Sequence, residues 1–138
     1  MIIEKNISII LCYNKKLKIS VHKQLFSMAI SNLINNAIKY NVKNGSIKIK
    51  IKVIDDKLII CINDSGIGIK KKYIYRIFDK FYRIDKIKNN NSNGSGLGLS
   101  IVKQVVEAHK GSIIAKSKLN KGSKFKIILQ LNNKLSNK

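Results

Sequence analysis

The sequence is short of several residue types and patterns, and each shortage removes a class of protein. It has no apolar run near the roughly 18 residues that a membrane span needs, and no stretch like a signal peptide at its N-terminus. Its only two cysteines, Cys12 and Cys61, lie in apolar runs, which predicts buried, reduced thiols rather than a disulfide. No residues have metal-ligand spacing. These absences predict a soluble protein of a reducing compartment, the cytoplasm or an equivalent such as an organelle stroma.

Acidic residues and arginine are also scarce. Seven Asp and Glu stand against 28 Lys and Arg, a formal net charge of +21, and only Arg76 and Arg83 are arginines. Such an excess is typical of nucleic-acid-binding proteins. However, the lysines are scattered, and because Lys, Asn and Ile all have A/T-rich codons, a biased genome would give this composition. A solvated lysine surface that attracts polyanions, nucleotides included, is favoured over a specific DNA or RNA site.

The length of 138 residues and the 44% hydrophobic content fit a single domain with one core. Apolar periodicity of two predicts strands over 6–13, 16–21, 46–53, 57–63, 112–117 and 123–131, and helical periodicity predicts helices over 23–40, 70–77 and 97–109. The Asn-rich stretch 85–96 is predicted to be flexible. Because neighbouring strands can pair as hairpins, the pattern predicts an α/β (α+β) two-layer sandwich, a mixed, mostly antiparallel sheet with helices on one face.

The first long helix contains an unusual number of asparagines. At roughly 100° per residue, Asn32, Asn36 and Lys39 fall within about 60° of each other, whereas Asn35 points to solvent. An amide oxygen is a neutral, hard ligand suited to Mg²⁺, and a lysine beside it can offset phosphate charge. Taken alone, the helix favours the plainer interpretation of a polar edge beside an apolar stripe. That stripe consists of Phe26, Ile30, Leu33 and Ala37.

Two glycine-rich segments follow. The first, DSGIG at 64–68, comes directly after a predicted buried strand, where Asp64 can accept a hydrogen bond from an exocyclic amine such as that of adenine. The second, GSGLGLS at 94–100, precedes the second long helix, where exposed backbone N–H groups attract phosphate. Neither matches a P-loop or a dinucleotide fingerprint. Each segment alone is as typical of a turn or a hinge as of a nucleotide site.

In their order along the chain, these segments resemble the catalytic ATP-binding domain of sensor histidine kinases, which has the Bergerat ATP-binding fold. NLINNAIKYN at 32–41 resembles the N box of that family, and DSGIGI at 64–69 resembles its first glycine box. IFDKFYRID at 77–85 resembles the F box, GSGLGLSIVK at 94–103 the second glycine box, and KGSKF at 121–125 the closing strand motif. The resemblance covers about residues 20–131 of one domain.

The resemblance implies a role for each matching position. Asn36 would hold Mg²⁺ against the phosphates of ATP, and Asn32 would support the site one turn earlier. Lys39 would touch phosphate, and Tyr40 would pack near the adenine. Asp64 would read the adenine amine. Gly66 and Gly68 would give the base room. Phe78, Phe81 and Arg83 would shape a lid at 85–93. The far hinge of the lid and its phosphate-facing turn would consist of Gly94, Gly96, Leu97, Gly98 and Leu99.

The chain departs from the family pattern in the part that accepts the phosphate. It has no proline and no phosphoacceptor hairpin; His22 is interpreted as a helix-start residue and His109 as structural. The resemblance therefore implies a domain that binds Mg²⁺-ATP and delivers the γ-phosphate to a histidine. That histidine would lie on a dimerisation domain in trans or in a missing N-terminal region, and a response regulator would be the further partner. No residue is assigned as a general base.

Three alternatives stay open. An ATP hydrolase of the gyrase, Hsp90 or mismatch-repair type would carry a glutamate one turn before the metal asparagine, and Asn32 stands there instead. A non-catalytic signalling remnant would bind nucleotide without transferring phosphate. A basic nucleic-acid-binding protein would show salt-sensitive, sequence-independent binding that ATP does not affect.

Overall fold

The computed structural model describes residues 5–13, 17–84 and 97–131. Its elements are β1 (Ser8–Cys12), α1 (Lys23–Lys39), β2 (Ser46–Ile54), β3 (Lys57–Asp64), a 3-10 turn (Lys71–Tyr73), α2 (Gly98–Ala108), β4 (Ser112–Lys118) and β5 (Gly122–Gln130). The whole Asn-rich stretch 85–96, with the predicted lid and with Gly94 and Gly96, lies outside the described residues.

The five strands form one sheet in the order β1-β2-β3-β5-β4. β1 runs parallel to β2, and the other three pairs are antiparallel. The β2–β3 hairpin turns through Asp55 and Asp56, which both have positive φ, 53° and 62°, as a tight two-residue turn requires. The predicted mixed, mostly antiparallel sheet is confirmed.

The core lies between one face of this sheet and the two helices. Alternate residues of β2, β3 and β5 point toward the helices, because strand side chains alternate between faces. The buried hydrophobic ones are Ile47, Ile49, Leu58, Ile60, Ile62, Phe125, Ile127 and Leu129. They meet Ala29, Leu33 and Ala37 of α1 and Val102, Val105 and Val106 of α2, all buried. The two-layer sandwich with helices on one face is therefore confirmed.

Three local predictions were wrong. Residues 17–21 form no strand; Leu17, Ile19 and Val21 pack against the core from an extended segment without sheet pairing. The helix predicted over 70–77 is a single 3-10 turn followed by further turns with i to i+3 hydrogen bonds. Cys12 is exposed rather than buried, because β1 is an edge strand, while Cys61 is partly buried; both thiols are free.

The start of α1 and the end of α2 are joined by two histidines. His22 caps α1, its Nδ1 accepting the Leu25 backbone N–H at 3.2 Å. The backbone N–H of His22 donates to Nε2 of His109 at 2.9 Å, and Nδ1 of His109 donates to the Val105 carbonyl at 2.8 Å. The His109 ring also packs edge-on against Phe26, with centroids 5.7 Å apart. The predicted helix-start role of His22 is confirmed. We call these residues the capped end of the helix pair.

Candidate nucleotide-binding site

Asp64 is the last residue of β3 and lies on the helix-covered side of the sheet. Its Oδ1 accepts backbone N–H groups from Gly66 at 2.8 Å and Ser123 at 3.2 Å. Burial raises the pKa of Asp64 above its ordinary 3.8, and these two hydrogen bonds oppose that shift. Within the described residues Oδ2 accepts no hydrogen bond. The turn therefore fixes one carboxylate oxygen and leaves the other for a ligand.

The glycine turn after Asp64 packs directly on the end of α1. The Ile67 backbone N–H donates to the Tyr40 carbonyl at 3.0 Å. A Cβ on Gly66 would overlap that carbonyl oxygen and lie 2.9 Å from Oδ1 of Asp64, so no side chain fits. Gly68 has φ +75°, and its Cβ would overlap the Lys118 carbonyl. Glycine is therefore required at both positions because the backbone of another segment approaches closely, and at Gly68 also because of its positive φ.

Asn36 lies one turn before this contact. The Tyr40 backbone N–H donates to the Asn36 carbonyl at 3.0 Å, which closes the last turn of α1. The Lys39 ammonium lies 5.2 Å from the centroid of the Tyr40 ring. The Asp64 turn thus packs on the end of α1, one helical turn after Asn36. That the two side chains face one cavity, as the nucleotide-site hypothesis requires, stays a prediction.

The start of α2 reaches the same helix at Asn32. The position that a Cβ would take on Gly98 is 3.9 Å from Oδ1 of Asn32 and meets nothing closer. Asn32 and Asn36 are partly buried, yet their side chains make no hydrogen bond within the described residues. In the part of the chain that the structure describes, two amides are therefore held beside the core without hydrogen-bond partners. We call the set Asn32, Asn36, Asp64, Gly66 and Gly98 the open end of the helix pair.

The remaining predicted positions near α2 and in the F box differ in exposure. Leu97 and Leu99 are half-buried at the start of α2, and Leu99 packs against the core. Phe78 packs edge-on against Phe125, with centroids 6.2 Å apart, and the Lys103 ammonium lies 5.8 Å from its centroid. Phe81 is 66% exposed and has φ 66°, and Arg83 is also exposed. Phe78 thus anchors this segment, and Phe81 projects from it.

A buried polar network lies behind the glycine turn and was not predicted from the sequence. Asn41 is 5% exposed; its Oδ1 accepts from the Val42 N–H at 2.8 Å and from Ser65 Oγ at 3.0 Å, and its Nδ2 donates to the Ser46 carbonyl at 3.1 Å. The Ser46 N–H donates in turn to Ser65 Oγ at 2.8 Å. The network joins the end of α1, the start of β2 and the residue after Asp64. The one indication of this network in the sequence was an asparagine placed directly after the predicted end of a helix.

Lys5 was also missed. Its Nζ donates to the carbonyls of Ile38, Lys39 and Asn41 at 3.2, 2.7 and 3.2 Å. A cation at this place satisfies carbonyls that the end of a helix leaves unpaired. The ammonium fixes the last turn of α1, and with it the backbone beside Asn36. No local pattern in the sequence indicates a contact over more than thirty residues.

Two concavities lie away from these residues. One of about 610 Å³ is lined by residues 18–21, 108–110 and 129–131, and the other by residues 69–71 and 117–119. The first includes His109, whose ring nitrogens are both hydrogen-bonded, and neither contains Asp64 or the asparagines. Among the described residues, no cluster of three His, Cys, Asp or Glu could hold a metal, and no helix is long and apolar enough to cross a membrane.

Comparison with known proteins decides the family. Residues 21–133 match the model of the histidine kinase-, DNA gyrase B- and HSP90-like ATPases. The chain belongs to this family. It is an ATP-binding domain of the type found in sensor histidine kinases, as its motifs implied.

Its relatives are sensor kinases. The chain is 44% identical over 115 residues to the signal transduction histidine-protein kinase ArlS of Staphylococcus aureus strain USA300, covering 83% of this chain and 26% of ArlS. The mycobacterial sensor histidine kinase MprB has a similar structure, with a TM-score of 0.81, 25% identity and coverage of 94% of this chain and 87% of that one. Full-length ShkA in complex with AMPPNP also has a similar structure, with a TM-score of 0.77 and 25% identity. The match covers 91% of this chain and 26% of that one. The chain thus spans about a quarter of the length of ArlS.

Proposed function

We propose that this domain binds Mg²⁺-ATP and delivers its γ-phosphate to a histidine on a separate domain or chain, as the catalytic part of a two-component sensor histidine kinase. The observation that carries the proposal is the open end of the helix pair, where the Asp64 turn packs one turn from Asn36 and the start of α2 lies beside Asn32. ShkA, a structural relative, is described in complex with AMPPNP, which supports a nucleotide ligand.

The proposed adenine contact is the Oδ2 oxygen of Asp64. A carboxylate with one oxygen bound to two backbone N–H groups cannot rotate freely, so its second oxygen is oriented for a donor such as the adenine amine. Partial burial strengthens a charge-assisted hydrogen bond relative to one in water. Gly66 and Gly68 let this turn pack against the Tyr40 and Lys118 carbonyls. The room that they are proposed to give the adenine rests on the motif alone.

Asn36 is the proposed protein ligand of Mg²⁺, with Asn32 in support. Their unpaired amides fit this ion, which is usually bound through one or two protein groups while phosphates and waters complete its shell. When bound, Mg²⁺ supplies charge neutralisation at the transferring phosphate. Lys39 adds a cation on the same helix face. For phosphate, α2 offers the backbone N–H groups of its first turn, including those of Gly98 and Leu99; the matching Gly94 and Gly96 are proposed on the motif alone.

In this scheme no residue of the chain acts as a general base. The nucleophile is the imidazole of the acceptor histidine, and the transfer depends on positioning and charge stabilisation. Phe81, exposed on a turn, and Arg83 are proposed to contact the nucleotide from the lid side. Asn32 also disfavours the hydrolase alternative, because an amide cannot take a proton from water as a glutamate can.

The test has two stages. Calorimetry with ATP, with and without Mg²⁺, should show binding that the metal strengthens. The domain is then mixed with labelled ATP and a separately produced histidine-bearing hairpin domain, and acid-labile phosphohistidine is measured. Label on the hairpin supports the proposal. Binding without label favours the nucleotide-binding remnant, and phosphate release without an acceptor favours a hydrolase.

A further inference from the structure

The face of the sheet turned away from the helices is covered with lysine. Every second residue of β2 to β5 points to this face, in register across the strands. Eight of these positions are lysine, and none on the five described strands is aspartate or glutamate. All eight are exposed except Lys126, which is partly buried. The lysines, which we call the lysine face, are Lys48, Lys50, Lys52, Lys57, Lys116, Lys118, Lys124 and Lys126.

The placement of these charges does not favour the fold. Lys116 lies directly opposite Lys124 across the β4–β5 pair, and like charges in that position destabilise a sheet. Lys48, Lys50 and Lys52 follow each other along one face of β2, about 7 Å apart at the usual strand rise. A biased genome explains the high total of lysine, and burial of the other face places the strand lysines on this one. Neither requires like charges at adjacent positions, and β1 contains no charged residue. An anionic partner would remove the repulsion.

Aliphatic side chains stand between the lysines. Ile59 and Ile128 are neighbours across β3 and β5, and Ile114 is paired with Lys126. Ile54 and Ile10 lie at the margins, 46% and 47% exposed. The outward strand positions carry no aromatic side chain and no arginine. Nucleic-acid surfaces use aromatic residues to stack bases and arginine to bind phosphate or guanine in a bidentate way, so this composition does not match them.

We propose that the lysine face docks on an anionic lipid surface. A bilayer is planar and presents a dense array of negative headgroups, which suits point charges spread over a sheet about 20 Å across at the usual strand spacing. The interspersed isoleucines would contact the headgroup boundary, an environment that rewards apolar area. Asp64 and α1 lie on the opposite side of the sheet, so docking leaves the nucleotide site open.

The test compares two variants with the same loss of charge. Lys50→Gln, Lys124→Gln and Lys126→Gln are combined to weaken the lysine face. Lys18→Gln, Lys23→Gln and Lys43→Gln are combined as a control, because these three exposed lysines lie outside the sheet. Binding is measured by co-sedimentation with phosphatidylcholine vesicles, with and without phosphatidylglycerol, at about 0.1 M salt, where the Debye length is about 10 Å.

Wild type should bind the phosphatidylglycerol vesicles and not the pure phosphatidylcholine vesicles. The lysine-face variant should lose about a hundredfold in partition coefficient, given the usual contribution of a lysine at an anionic surface, and the control variant less than tenfold. Equal losses would overturn the proposal in favour of diffuse attraction by net charge. Binding to a DNA duplex without binding to anionic vesicles would overturn it in favour of nucleic acid. Circular dichroism of both variants excludes unfolding as the cause.

The orientation is tested with the native thiols. Cys12 is exposed on the lysine-face side, in register with Lys50. An environment-sensitive fluorophore on Cys12, in a Cys61→Ser background, should shift to shorter wavelength when anionic vesicles are added. The same fluorophore on Ser27→Cys of α1, in a background without the native thiols, should not shift. A shift at Ser27→Cys alone would place the helices against the lipid and contradict the proposal.

Discussion

The two ends of the helix pair differ in whether their polar side chains are hydrogen-bonded. At the capped end, both ring nitrogens of His109 are bonded to backbone groups, and the ring packs on Phe26. At the open end, Asn32 and Asn36 are partly buried without hydrogen bonds in the described part of the chain, and Asp64 keeps one oxygen unpaired. Polar groups beside a core normally find partners, because an unpaired one costs free energy. The open end therefore has the unmet donors and acceptors that a ligand can satisfy.

This contrast separates the substitutions that should affect folding from those that should affect binding. Removing a satisfied group at the capped end breaks contacts already present in the free protein. Removing a group of the open end should instead affect only the contacts proposed with ATP and Mg²⁺. The following predictions test this separation.

The largest effect is expected for Asn36→Ala. The affinity for Mg²⁺-ATP should fall about a hundredfold, the upper range for losing a group that positions a metal, since no other residue on α1 is assigned to bind the ion. Stability should hardly change, because the side chain has no hydrogen bond to residues 5–13, 17–84 or 97–131 and because alanine favours a helix. Calorimetry with and without Mg²⁺ and urea denaturation measure the two quantities. Asn35→Ala, exposed on another side of α1, is the matched control and should change neither. Unchanged metal-dependent affinity in Asn36→Ala would remove the metal assignment.

His109→Ala should have the reverse profile. The variant loses the contact with Phe26 and leaves the His22 N–H and the Val105 carbonyl without this partner, which should lower the free energy of unfolding by about 2 kcal/mol. The affinity for ATP should stay within twofold. His22→Ser is the control: serine is a good helix cap, and the backbone N–H to His109 remains, so stability should hardly change. A large loss of affinity in His109→Ala would show that the two ends are coupled.

The same contrast explains what could be predicted from the sequence. The alternation of Ile and Lys correctly predicted β2. This strand is buried on one face and is also hydrogen-bonded to a strand on each side, so the burial pattern and the sheet pairing agree. The same alternation in Leu17, Ile19 and Val21 predicted a strand wrongly, since the pattern reports burial on one side and not hydrogen bonding. Asp64 and the asparagines could be found because they lie in ordered motifs.

The supports of the site could not be found in this way. Lys5 reaches the end of α1 over more than thirty residues, and nothing local in the sequence predicts that contact. Asn41 acts through Ser46, five residues further along the chain, and through Ser65, which comes near it only when β2 and β3 pair. Functional side chains belong to local motifs, whereas the side chains that hold them depend on tertiary structure.

Asp64→Asn should separate recognition of the base from recognition of phosphate. The affinity for ATP should fall about tenfold, because a hydrogen bond from the adenine amine to a charged carboxylate is replaced by a weaker one to an amide. The affinity for tripolyphosphate should hardly change. The amide oxygen can still accept from Gly66 and Ser123, so the turn is preserved. Equal losses for the two ligands would contradict the adenine role.

The pKa of Asp64 adds a dependence on pH. Because burial raises this pKa above 3.8, Asp64 is protonated at a higher pH than an exposed aspartate. The ratio of ATP to tripolyphosphate affinity should fall as the pH drops through that raised pKa, and the ratio should be flat in Asp64→Asn. For stability the sign is opposite: the favourable contribution of protonated Asp64 is present below 3.8 and is lost as the pH rises through the folded pKa. Asp64→Asn should therefore be slightly more stable than wild type at neutral pH.

Gly98→Ala should lose less ATP affinity than Asn36→Ala or Asp64→Asn. Its nearest neighbour, Oδ1 of Asn32, would be 3.9 Å from the new Cβ, so alanine fits and should stabilise α2 by about 0.5 kcal/mol through lower entropy of the unfolded chain. The new methyl group nevertheless points toward the open end, and ATP affinity should fall severalfold. Gly66→Ala is the contrast, because its Cβ would overlap the Tyr40 carbonyl and both stability and affinity should drop. If Gly98→Ala binds ATP as well as wild type does, the start of α2 does not approach the nucleotide, and the open end is confined to α1 and the Asp64 turn.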